Sequence, residues 1–98
     1  MYKDIITYRL AENFSEDRLL KVAQDIIDNW MKKLPGFESW EICKNENGDY
    51  TDIVCWKDKA SAKAAEKEMM NIPNASEWMS CYEKGSIKSQ NTSVIQKF

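Results

Sequence analysis

The chain has 98 residues, 14 basic and 16 acidic, for a net charge of -2, and it carries no histidine. That length suits one small domain, residues 1–98, which buries only roughly 60–65% of the surface its unfolded chain exposes. The acidic balance opposes an electrostatic nucleic-acid footprint and a polybasic membrane patch, and without histidine no His-dependent triad, general base or zinc site can be built from this chain alone.

Four Trp, four Tyr and three Phe are present. A large aromatic side chain buries roughly 150–250 Å², so these are hard to hide in a lone domain this small. They predict a partner surface, a ligand pocket, or both. No apolar run is long enough to span a bilayer. Met1-Tyr2-Lys3-Asp4 shows no apolar core of a signal peptide. Cys43, Cys55 and Cys81 are widely spaced with no CxxC, and read as reduced thiols of a cytoplasmic protein.

Residues 2–10 are rich in Ile, Thr and Tyr and predict a strand. Asp4, Ile6, Tyr8 and Leu10 fall on one face and Lys3, Ile5, Thr7 and Arg9 on the other, so apolar groups occur on both. Residues 16–34 predict the first helix. Leu19, Leu20, Ala23, Ile26, Ile27, Trp30, Met31 and Leu34 make one broad apolar stripe. Ser15 is the expected N-cap. Phe14 and Leu19 match a hydrophobic staple, and Pro35-Gly36 ends the segment. Residues 37–44 and 49–57 predict two strands joined at Asn47-Gly48 into an antiparallel hairpin. Ile53-Val54-Cys55-Trp56 is apolar on both faces, as in a strand covered on each side.

Asp58 is the expected cap of a second helix over 59–71, with Ala62, Ala65, Met69 and Ile72 on one face. Ile72-Pro73 ends it. Asn74, with Glu77 three residues on, reads as the cap of a short helix carrying Trp78, Met79 and Tyr82. Gly85 breaks that segment, and residues 86–96 predict a polar last strand. The order β-α-β-β-α-(short α)-β is that of the α+β ferredoxin-like, split-βαβ fold (βαββαβ), a four-stranded antiparallel sheet with helices on one face. The apolar residues on the uncovered face need a second cover, which predicts a homodimer packed through its sheet faces.

Several of these features together resemble the dimeric α/β-barrel superfamily, in the branch of the antibiotic-biosynthesis-monooxygenase-like (ABM-like) domains. They are Tyr8-Arg9-Leu10 at the end of the first strand, Leu34-Pro35-Gly36-Phe37, Asn47-Gly48-Asp49-Tyr50, Asp52-Ile53-Val54-Cys55-Trp56, and the Ala-rich Ala60-Ser61-Ala62-Lys63-Ala64-Ala65. The resemblance implies a dimer with a barrel-like core and a cavity in each protomer between sheet and helices. It implies either an oxygenase that needs no metal or flavin cofactor, or a protein of unassigned activity. Haem-degrading relatives use a histidine ligand that this chain does not have. Cofactor-free members hold their aromatic substrates with Asn, Trp and Tyr.

The candidate pocket residues are Tyr8, Trp56, Asn71, Trp78 and Tyr82. Tyr8 and Trp56 lie on strands that should be neighbours and could wall a flat aromatic ligand, against ordinary core packing. Trp78 and Tyr82 lie on the short helix, which could lid a pocket or simply close the end of the core. Asn71 and Asn74 flank the break in the second helical region, where they could orient a substrate oxygen or cap a helix. Trp30 and Met31, on the helix stripe, read as core, and Trp40 as core or dimer interface. Asp4 and Asp52 could act as bases if buried, but read more simply as exposed strand-face charges.

No nucleophile–base pair, metal set or Gly-rich phosphate loop is found. The functional expectation is a cofactor-independent monooxygenase acting on a small aromatic or quinone-like metabolite. The alternative is a non-catalytic dimeric small-molecule-binding or stress-related module. An RNA-recognition module shares the element order, but Asp49-Tyr50-Thr51-Asp52-Ile53-Val54-Cys55-Trp56 lacks its basic-Gly-aromatic pattern. An amino-acid-sensing regulatory domain shares the topology too, but is usually fused to an enzyme.

Overall fold

The computed structural model describes residues 1–98. In chain order the elements are β1 (Tyr2–Tyr8), α1 (Glu16–Asn29), β2 (Phe37–Lys44), β3 (Tyr50–Trp56), α2 (Lys59–Lys67), α3 (Ala75–Met79) and β4 (Lys88–Ser93), with single 3-10 turns at Met31–Lys33 and Met69–Asn71. The sheet order is β2-β3-β1-β4 and every pairing is antiparallel. This is the ferredoxin-like arrangement that the element order predicts. No helix is long and apolar enough to cross a membrane.

The local signals act as the side-chain chemistry requires. Ser15 Oγ accepts from the Arg18 N–H at 3.1 Å, and Phe14 and Leu19 are both buried beside that first turn. Asp58 Oδ1 accepts from the Ser61 N–H at 2.8 Å and starts α2. Gly36 adopts φ +79°, and a Cβ there would lie 2.2 Å from Ser61 Oγ. The turn into β2 can therefore rest against α2 only because that residue is glycine.

Both long helical segments are shorter than their periodicity predicts. α1 stops at Asn29 because Trp30 leaves helical geometry at φ -142°, while its N–H still closes the last bond onto Ile26 O at 3.0 Å. The turn that follows carries Met31 and Leu34 to the second part of the core. α2 ends at Lys67, and Met69 is about half exposed rather than seated on the sheet. On α1, Val22 is buried and Leu20 is 48% exposed, so the stripe runs Leu19, Val22, Ala23, Ile26 rather than through Leu20. Asn74 does not cap α3. It sits in the left-handed region at φ 56° with no capping bond, and its amide donates instead to Asp25 on α1.

The core is divided. One cluster gathers Tyr8, Phe14, Leu19, Val22, Ile26, Tyr50, Trp78 and Cys81 beneath α1 and α3. The other gathers Tyr2, Val54, Trp56, Ala62 and Ala65 beneath α2. The alanines bring α2 close to its end of the sheet, while larger side chains hold α1 over the other. The space between the two clusters is the cavity described next.

Candidate functional site

Alternation along the strands fixes the floor. Register pairs Tyr2 with Trp56, Asp4 with Val54, Ile6 with Asp52 and Tyr8 with Tyr50. All eight therefore share the face under the helices. The floor of the cavity takes Asp4 and Ile6 from β1, Asp52, Val54 and Trp56 from β3, and Trp40 from β2. Trp30 and Met31 border it from the end of α1, Ala62 and Ala65 from α2, and Trp78 and Tyr82 from the α3 region. Its volume is about 330 Å³, within the usual range for small-molecule sites.

Asp52 is the polar centre. It is 2% exposed, and Tyr8 Oη donates to its Oδ1 at 2.9 Å. Burial disfavours the charged carboxylate and pushes its pKa up to about 6, although the Tyr8 hydroxyl and the Trp40 indole both pull it back. The Trp40 N–H lies near enough to favour the anion but makes no hydrogen bond of normal geometry. Nε1 is buried and unpartnered. The same burial, reinforced by the Asp52 charge, raises the Tyr8 phenol well above its usual range and lifts the Cys81 thiol to about 12. Tyr82 is likewise held protonated by burial first and by Cys81 and Asp52 next.

A second carboxylate lies diagonally across the strands. Trp56 Nε1 donates to Asp4 Oδ2 at 3.1 Å. With the Asn91 amide oriented to satisfy both its ends, its nitrogen reaches Asp4 Oδ1 at 2.9 Å. Burial raises the Asp4 pKa, and the Trp56 bond offsets part of that rise.

Of the pocket residues expected from sequence, Trp56, Trp78 and Tyr82 border the cavity together. Trp78 meets Trp40 edge to face at 5.2 Å and Tyr82 at 5.6 Å. Tyr8 lies one layer behind the wall, 1% exposed, edge-on to Tyr82 at 4.7 Å. Its place is to hold Asp52. Asn71 lies outside the wall, exposed on the 3-10 turn, where its amide donates to Glu68 Oε2 at 2.9 Å. Trp30, read from sequence as core, and Trp40, read as core or dimer interface, both border the cavity. Asp52 corrects the expectation of an exposed strand charge: it is among the most buried side chains in the chain. The signal was present in the alternation, since Tyr50, Asp52, Val54 and Trp56 must share a face.

Neither a family model nor a curated protein matches the chain. Solved structures do. SnoaB, a cofactor-independent oxygenase from Streptomyces nogalater determined as a point mutant, superposes with a TM-score of 0.77 at 12% identity, over 98% of this chain and 94% of that one. A second structure, an antibiotic biosynthesis monooxygenase, gives 0.70 at 11% identity over 98% and 100% of the two chains. The fold is that of the antibiotic biosynthesis monooxygenases. A dimeric ferredoxin-like protein of unknown function from Jannaschia sp. CCS1 shares it as well, with a TM-score of 0.67 at 17% identity over 95% and 98%. The fold by itself assigns no activity to this chain.

Proposed function

We propose that this chain is a cofactor-independent monooxygenase acting on a small aromatic or quinone-like metabolite bound between sheet and helices. One observation carries the reading. A carboxylate that ionises near neutrality, Asp52, stands in a cavity walled by indole and phenol rings. A base is most effective when its pKa lies near the working pH. Asp52 takes the proton of a phenolic or hydroquinone O–H, and the anion gives one electron to dioxygen. The two radicals join as a carbon-bound hydroperoxide that takes the proton back from Asp52. Loss of water from that C–H carbon leaves a new carbonyl holding one oxygen atom. Tyr8 fixes the Asp52 carboxylate, Trp40 offers an indole N–H to a substrate oxygen, and Trp56, Trp78 and Tyr82 present ring surfaces to a flat substrate.

Oxygen uptake with a panel of hydroquinones and anthrones tests the proposal. Turnover should fall at least about a hundredfold in Asp52→Asn, the range typical for loss of a general base. Equal rates for the variant and the wild type would refute the role of Asp52. The second reading, a dimeric binding or stress-related module without turnover, is favoured by one feature. Tyr8, Tyr82 and Cys81, the groups nearest Asp52, are all held protonated by burial, so none of them relays a proton. Saturable binding across the panel with no oxygen uptake would support that reading.

The proposed assembly is a homodimer through the outer sheet face. Ile5 and Ile53 pair directly across the strands there, and both are half-buried. A second sheet would complete their burial, as the dimeric neighbour of the same fold suggests. Sedimentation should give a dimer that Ile53→Lys dissociates, and a monomeric wild type would contradict the assembly.

A further inference from the structure

Every tryptophan of the chain borders one cavity: Trp30, Trp40, Trp56 and Trp78. The charges that share this lining are three acidic groups, Asp4, Asp52 and Glu66, and one basic group, Lys63. Lys63 is a rim residue, 51% exposed, and its Nζ is already 3.4 Å from Glu66 Oε2. Neither Asp4 nor Asp52 takes part in a salt bridge. The donors that meet them are neutral, a phenol on Asp52 Oδ1 and an indole and the Asn91 amide on Asp4, and Lys63 acts on Asp4 only from a distance, which leaves Asp52 as the anion without a counter-charge.

Two physical arguments converge on the missing partner. A buried anion without a counter-charge is costly, and the cost is relieved when a cation is seated beside it. Indole rings present a negative face that attracts ammonium and guanidinium groups, most strongly where water is excluded. Perpendicular packing of Trp78 against both Trp40 and Tyr82, at 80° and 85°, makes walls at right angles rather than a flat stack. A compact cationic group fits such a corner.

We propose that the cavity binds ligands carrying a protonated amine or quaternary ammonium on an aromatic body, with the cationic nitrogen beside Asp52 and against the indole walls. This goes beyond the oxygenase reading and does not depend on turnover. It names the charge of the ligand, not the reaction.

The test compares three probes with the same ring and a similar chain: phenethylamine, 2-phenylethanol and 3-phenylpropanoate. Each is titrated against the wild-type protein by calorimetry and by tryptophan fluorescence. The amine should bind at least about tenfold tighter than the alcohol, and the carboxylate weakest of the three. In Asp52→Asn the ratio of amine to alcohol affinity should fall toward one. In Asp4→Asn it should fall less. Equal or tighter binding of the alcohol, an unchanged preference in Asp52→Asn, or no binding of any probe would each overturn the proposal. The decisive comparison is made on the wild type, so it stands even if a variant fails to fold. Oxygen uptake with neutral hydroquinones, without any preference for amines, would overturn this inference and leave the oxygenase reading intact. An amine preference without uptake would do the reverse.

Discussion

Replacing Asp52 by asparagine isolates the cost of holding a charge in the cavity. The side chain is 2% exposed, and its pKa rises from 3.8 to about 6, mainly through burial. At about 1.36 kcal/mol per pKa unit, that shift corresponds to about 3 kcal/mol lost to the folded state once Asp52 is ionised. The sign follows from proton counting. Between the unfolded and folded pKa values the native state holds the extra proton, so this group's contribution to stability falls as pH rises through that window. Above about pH 7, a unit past the folded pKa, the penalty is complete and constant. Asparagine keeps an oxygen for the Tyr8 hydroxyl but carries no charge, so its contribution does not titrate. Its amide hydrogens add a fixed cost of about 1–3 kcal/mol if they find no acceptor. Comparing urea unfolding of both proteins at about pH 4 and about pH 8 cancels that fixed cost. Because the unfolded carboxyl is already about half ionised at about pH 4, the variant should gain about 2.5 kcal/mol on the wild type between the two conditions. A gain near zero, or a loss, would show that the cavity does not desolvate the carboxylate, and the argument for a base poised near neutrality would fail.

Tyr8→Phe removes the phenol that favours the charged form of Asp52, so the acid limb of an oxygen-uptake profile should move to higher pH; an unmoved limb would show that Tyr8 does not tune the carboxylate. Ser15→Ala removes the α1 N-cap and should cost about 1 kcal/mol in urea unfolding, with no change in ligand binding. Gly36→Ala forces a side chain into a left-handed backbone and against Ser61, and should destabilise by more than about 1 kcal/mol; adding Ser61→Ala should recover part of that loss, and full additivity of the two changes would place Gly36 away from α2.

The parts of the fold that depend on local chemistry were readable from the residues. β2 runs over the predicted Phe37–Lys44, and the caps at Ser15 and Asp58 act through the bonds expected of them. Where tertiary contacts decide, the reading departs from the structure. Periodicity carries a helix through Trp30, but nothing in a 3.6-residue repeat marks the place where the backbone turns to seat that indole in a wall. Alternation shows that Asp52 shares a face with Tyr50 and Trp56. It does not show that α1 and α2 stand apart over that face and leave a space between them. A carboxylate in a strand usually finds water, so the buried one was the hardest residue to foresee. Tyr8 and Asn71 show the converse. Residue type suggested pocket contacts for both, while the first is spent on orienting Asp52 and the second on Glu68.

The central claim is that the space between the two halves of the core is a ligand site. Because all four tryptophans border it, their fluorescence reports its occupancy directly. Titration with a naphthoquinone should quench that emission saturably. In Ala65→Phe, where the added ring enters the space from α2, the saturable quenching should disappear from protein whose circular dichroism matches the wild type. Quenching that never saturates in the wild type, or that survives unchanged in Ala65→Phe, would contradict the account.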